Sequence, residues 1–75
     1  MSKLPSIRAR DLAHAAERSG FVFDRQRGSH ALYYRESDRR RIVIPMHAGH
    51  DLKPGTLRAI ITDMGLTVDE FVALL

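Results

Sequence analysis

Apolar residues near the start of the chain recur at helical spacing. Ala9, Leu12, Ala13 and Ala16 form one stripe, while Arg8, Arg10, Glu17 and Arg18 fall on the other side. The pattern predicts a first helix from about Ala9 to Ser19. Its alanines are small enough to lie close against a sheet, and Gly20 stops it. His14 sits within this helix as a surface or flank residue without a role. The pattern then changes period. Phe21-Val22-Phe23-Asp24-Arg25 alternates, with both phenylalanines on one side, and His30-Ala31-Leu32-Tyr33-Tyr34-Arg35 is rich in aromatic residues that suit a pleated surface. Arg27-Gly28-Ser29 between them supplies the glycine of a tight hairpin. A polar turn, Glu36-Ser37-Asp38-Arg39, leads to a third run, Arg41-Ile42-Val43-Ile44, which Pro45 ends. Connections this short require antiparallel neighbours.

After a loop from Met46 to Lys53, Pro54 opens a second helix with Leu57, Ile60, Ile61 and Met64 on its buried stripe. Gly65 ends it. Thr67 and Glu70 form a capping box for a short last helix, Leu66 can staple onto Phe71, and Val68, Phe71, Val72 and Leu75 give that helix an apolar side. The order helix, three strands, helix, helix predicts an α+β fold. Its three-stranded antiparallel sheet carries helices packed on one face, as in double-stranded-RNA-binding domains, and leaves the other face comparatively open. All 75 residues belong to one domain. If Leu32 faces the helices, His30 stands at the rim of that same face.

Composition narrows the chemistry. There is no cysteine, which excludes disulfides, thiolate zinc sites and cysteine nucleophiles and permits a reducing, cytoplasmic location. No apolar run approaches the length of a membrane helix, and the Met-Ser-Lys-Leu-Pro start lacks the apolar stretch of a signal peptide. Twelve Lys and Arg against nine Asp and Glu give a net charge of +3. Most of the cations are arginines, whose planar fork suits phosphate. The balance points to nucleic acid or an acidic protein as partner.

His30 is the main candidate for chemistry. It follows Gly28-Ser29 at the mouth of a hairpin, with Arg25 and Arg27 just before the turn. An imidazole exchanges protons near neutral pH, and RNA carries its own nucleophile in the 2′-hydroxyl. A positioned base plus cations on the phosphate would suffice for transesterification without a metal or other cofactor. The plain alternative is that His30 only starts a strand. His47 and His50, with Asp51 adjacent, are weak candidates for a divalent metal, and a polar loop accounts for them better. His47 could also protonate a leaving group while His30 acts as base. Lys53, the free amides of the second helix and the Thr56 hydroxyl could hold a phosphate, or could simply begin a helix. Arg39, Arg40 and Arg41 would attract a phosphate backbone from one edge. One of Tyr33 and Tyr34 could stack on a base.

Three blocks, Arg25-Gln26-Arg27-Gly28-Ser29-His30, Ile44-Pro45-Met46-His47-Ala48-Gly49 and Leu52-Lys53-Pro54-Gly55-Thr56-Leu57, together resemble the HicA (YcfA-like) toxin family. The likeness runs from Leu4-Pro5 to the Leu66–Phe71 segment. It implies a small ribosome-independent mRNA interferase with a double-stranded-RNA-binding-domain-like fold, paired with a HicB-like antitoxin in a type II toxin–antitoxin module. It assigns the catalytic histidine to His30, with Gly28 and Ser29 shaping its turn. Arg8 departs from the small hydroxyl N-cap expected ahead of the first helix. Two other functions suit the same composition: a non-catalytic RNA-binding module, and a basic domain that binds an acidic protein.

Overall fold

Among the described residues the chain runs through α1 (Ala9–Arg18), β1 (Val22–Arg27), β2 (His30–Arg35), β3 (Arg40–Pro45), α2 (Pro54–Asp63) and α3 (Val68–Val72). This computed structural model describes residues 3–47 and 49–75. Met1 and Ser2 of the N-terminus and Ala48 of the His47–Gly49 block lie outside the described residues. The strands form one antiparallel sheet in the order β1-β2-β3, with the helices on one face. The whole is only 17 Å thick in its shortest dimension, room for one helix layer on one sheet layer.

The core lies between those layers. Leu12, Ala15 and Ala16 of α1, Ile42 and Ile44 of β3, Leu57, Ile61 and Met64 of and after α2, and Phe71 of α3 are almost wholly buried. The helices pack across β3, while every residue of β1 stays exposed. The capping box of α3 forms as expected: the Glu70 amide donates to Thr67 Oγ1 (3.1 Å) and the Thr67 amide to Glu70 Oε1 (2.8 Å). Of the predicted apolar side of α3, Phe71 is buried, Val68 and Val72 are half-buried and Leu75 is exposed; Leu74 packs on the core instead. At α1 the N-cap is Arg8. A guanidinium has no acceptor, so only half a capping box is made, with the Arg8 amide donating to Asp11 Oδ2 (3.2 Å).

Strand register corrects one expectation. Ala31 and Tyr33 face the helices, opposite Ile44 and Ile42. Residues directly opposite one another share a face. His30, Leu32 and Tyr34 therefore lie on the open face, and Leu32 does not anchor His30 to the core rim. Only this parity buries both isoleucines of β3. A second correction concerns β1. Its alternation does not run straight through, because the register shifts between Phe23 and Arg25, leaving Asp24 as the extra residue of a bulge. Phe21 is buried ahead of the strand, whereas Phe23 lies beyond helix cover, half exposed, its ring edge-on to Tyr33 at 5.7 Å.

At the far end of β2 a single guanidinium joins four elements. Arg35 Nη1 donates to the Ser19 carbonyl (2.8 Å) and Nη2 to the Met64 carbonyl (2.8 Å), the C-caps of α1 and α2. Nε and Nη2 also grip both oxygens of Asp38 (3.0 and 2.7 Å), and the group stacks 4.5 Å from the centre of the Phe21 ring. Arg40 Nε adds a bond to Asp38 Oδ2 (2.9 Å). The hydrogen bond from Arg35, seconded by its charge and by Arg40, holds the Asp38 carboxyl down at about 2.

Because the folded state lowers this group below its ordinary value of 3.8, its stabilisation is complete above about pH 4 and is lost as pH falls towards 2. Asp38→Asn should lower the melting temperature at pH 7, and the gap from the wild type should shrink between pH 4 and pH 2. Thermal melts at several pH values check this; a constant gap would show that the carboxylate charge is not the source. The β1–β2 turn gives a second test. Gly28 holds φ at +57° and a Cβ there would meet no atom within 4 Å. Gly28→Ala should thus cost about 1 kcal/mol from backbone conformation alone, and Gly28→Asn less, in urea unfolding.

Candidate active site

The Gly28-Ser29 turn brings Arg27 and His30 directly opposite each other at the mouth of the first hairpin. The positive φ falls on Gly28 and not on Ser29, the type II′ arrangement that suits the strand twist. The turn is tied to the third strand as well, since the Met46 amide donates to the Ser29 carbonyl (2.6 Å) just beyond the His30–Pro45 pair. His30 is therefore fixed in backbone position by partners on both sides while its side chain stays exposed. It forms no ion pair among the described residues.

Register arranges the open face in three rows across the sheet: Arg27–His30–Pro45, Arg25–Leu32–Val43 and Val22–Tyr34–Arg41. Two guanidiniums thus flank the imidazole row on the strand beside it. Leu32 is half-buried, and Val43 and Val22 are 46% and 67% exposed, so the floor between the charges is apolar. Of the two tyrosines, Tyr33 belongs to the core, where burial and then the charge of Glu17 push its phenol upward. Tyr34 is on the open face, with the Arg41 guanidinium 4.7 Å from its ring centre.

The basic run at the second turn is divided. Arg41 points with Tyr34 to the open face. Arg40 turns to the helix side, where it bonds Asp38 and, through Nη1, the Asp63 carbonyl (3.3 Å). Arg39 occupies the turn itself at φ +59° and is exposed. All three stand at the far end of the sheet from His30, about 16 Å along a six-residue strand.

The near end is completed by the loop after β3. A groove of about 430 Å³ is lined by Pro45, His47, His50, Lys53 and Thr56 among others, and a second of about 280 Å³ by Arg8, Arg10, Met46 and His47. His47 is common to both. Lys53 is the N-cap of α2, whose first turn has neither a side-chain cap nor an acidic residue. Among the described residues no three of His, Asp and Glu gather closely enough to hold a metal ion, so His47, His50 and Asp51 do not make a centre. The contribution of Arg8 and Arg10 to this end was not anticipated. It depends on Arg8 pairing with Asp51 as an isolated antiparallel bridge, reinforced by the Leu52 amide donating to the Ile7 carbonyl (2.9 Å). No periodicity announces such a contact between distant segments.

Among the described residues no helix is long and apolar enough to cross a membrane. No curated protein matches the chain significantly. One protein family does, described as the HicA toxin of bacterial toxin–antitoxin, and the match spans residues 9–66, from the first residue of α1 to just short of α3. It takes in the whole sheet, the Gly28-Ser29-His30 turn and α2. The chain belongs to the HicA toxin family, a membership that implies an antitoxin partner.

Proposed function

We propose that this chain is a metal-independent endoribonuclease that cleaves mRNA, with His30 as general base or acid and a HicB-like antitoxin as its inhibitor. The observation that carries the reading is the exposed His30 imidazole standing directly opposite Arg27 on an open, apolar-floored sheet face. An accessible ring beside a guanidinium can meet a ribose while the neighbouring phosphate is held.

The reaction needs little more. His30 removes the proton of a ribose 2′-hydroxyl, and that oxygen attacks the adjacent phosphorus. The bond from phosphorus to the 5′-oxygen breaks, the leaving oxygen takes a proton from water, and the His30 imidazolium returns its proton to solvent. The products are a 2′,3′-cyclic phosphate and a 5′-hydroxyl. Arg25 and Arg27 stabilise the negative charge on the phosphoryl oxygens. Lys53, beside the uncapped amides of α2, and Arg41 at the other end of the face extend the basic track for the RNA backbone, with Arg39 outside it at the turn. Arg40, held by Asp38 and the Asp63 carbonyl, adds charge to this track only from the far side.

His30→Ala should reduce RNA cleavage at least about 100-fold, the scale of a general acid–base contribution, with an unchanged melting temperature because the ring is exposed. A defined RNA, incubated with either protein in EDTA and analysed for cyclic phosphate ends, decides it. Full activity in a folded His30→Ala variant rejects the assignment, and loss of wild-type activity in EDTA rejects the metal-free step. A second measurement concerns the cations. Arg25→Ala and Arg27→Ala should each flatten the dependence of log affinity on log salt for single-stranded RNA by about 0.7, at every sequence alike. An unchanged slope would remove these residues from the phosphate track.

A further inference from the structure

The open face carries a feature that phosphate binding does not account for. Asp24 is the only acidic residue in the three strands, which otherwise carry Arg25, Arg27, Arg35, Arg40 and Arg41. A carboxylate there repels the RNA backbone. Asp24 is also the extra residue of the β1 bulge, and it makes no ion pair among the described residues. Bulges commonly re-aim a side chain next to a site. Here Asp24 lines a shallow groove of about 210 Å³ together with Val22, Phe23, Tyr34 and Arg41.

That groove combines the parts that recognise an unpaired base. The Arg41 guanidinium sits over the Tyr34 ring, 4.7 Å from its centre, and offers an incoming base a cationic and aromatic surface. Splayed RNA bases stack on such aromatic rings and guanidinium planes and are read along their polar edges. Val22, 67% exposed, supplies apolar cover from the same open-face row. An ionised carboxylate only accepts hydrogen bonds, so its matching edge is one that presents donors. Guanine presents two side by side, at N1 and the 2-amino group, and a carboxylate can accept both.

We propose that Asp24, Tyr34 and Arg41 form a guanine-selective base pocket that sets the cleavage preference of the enzyme. The inference rests on RNA being the ligand of the open face. Tyr34 is four residues from His30 on the same strand, about 13 Å away. The pocket thus reads a base beside the scissile nucleotide and not the scissile nucleotide itself. The apolar floor of Leu32 and Val43 separates the two.

The test uses the wild-type chain with 2′-O-methyl hexamers, whose blocked 2′-oxygens prevent cleavage, followed by fluorescence anisotropy. A hexauridine with one guanosine at the preferred position should bind about tenfold tighter than plain hexauridine, within the range of a bidentate base contact. Inosine, which lacks the 2-amino group, should lose a large part of that gain without any change to the protein. Asp24→Asn should abolish the preference while binding hexauridine at least as tightly, since a negative charge is gone. Equal binding of the guanosine and uridine hexamers, or an undiminished preference in Asp24→Asn, overturns the pocket. If natural RNA is still cleaved through His30, the nuclease reading survives that result. Absence of both binding and cleavage overturns the two together. A groove that belongs to a protein interface would also overturn the pocket, and would show itself if Asp24→Asn and Tyr34→Ala weakened antitoxin binding and left RNA binding untouched.

Discussion

The fold depends on one guanidinium. α1 and α2 both end beside Arg35, which donates to the carbonyls of Ser19 and Met64, so their dipoles point the same way. Two helix C-termini brought together concentrate partial negative charge, and unsatisfied carbonyls there would destabilise the packing. Arg35 offsets both, and Asp38 and the face of Phe21 hold the guanidinium in place. In a chain this small, such a corner does what a larger core does elsewhere. Gly65 belongs to the same arrangement: with φ at +76° it would carry a Cβ only 2.7 Å from Arg40 Nε, so the neighbouring guanidinium can lie flat over the end of α2.

Aligned helices have a second consequence at the opposite end. Their N-termini, with free amides and partial positive charge, gather where β2 begins and β3 ends, beside the His30 turn. The residues in the N-cap positions are Arg8 and Lys53, neither of which can accept a hydrogen bond from those amides. α1 recovers part of the loss through Asp11, and Asp51 approaches Arg8 at 4.0 Å, but the first turn of α2 has no acid. Local stability is thus given up at the end where the chemistry is expected, and an anionic backbone lying there would restore it. The two ends of one sheet divide the labour between holding the fold and exposing charge.

Much of this was legible in the sequence. Each element announced itself by its period, and Gly28, Pro45, Pro54 and the Thr67–Glu70 pair marked boundaries the structure keeps, with β3 extending one residue further at each end. The face of His30 was decided by a constraint outside its own strand. Ile42 and Ile44 must both be buried, and hairpin register then places Ala31 and Tyr33 inward. Ala31 is small enough to let the helices approach, so the inner side of β2 looks less apolar than its outer side, and Leu32 misleads a reading of β2 alone. The division of the basic run had the same source: alternate residues of a strand point apart, so adjacent arginines cannot share a face.

The bulge at Asp24 was beyond such reasoning, and it matters most for the open face. Without it, β1 would continue its alternation from Phe23, which faces the helix side with Tyr33, and Arg25 and Arg27 would follow Phe23 to that side. One inserted residue reverses the parity, so Phe23 keeps its contact with Tyr33 while both arginines emerge beside Leu32 and His30. A single backbone irregularity therefore does two things at once. It turns two cations towards the imidazole, and it pushes the one strand carboxylate out of the ladder. A sheet that carries chemistry on its open side has no helix to enforce which residues face outward. In β1, which the helices leave uncovered, the bulge supplies that instruction. Deleting Asp24 would make the strand regular with Arg25 and Arg27 still opposite Leu32 and His30, so what the extra residue adds to the open face is the carboxylate itself.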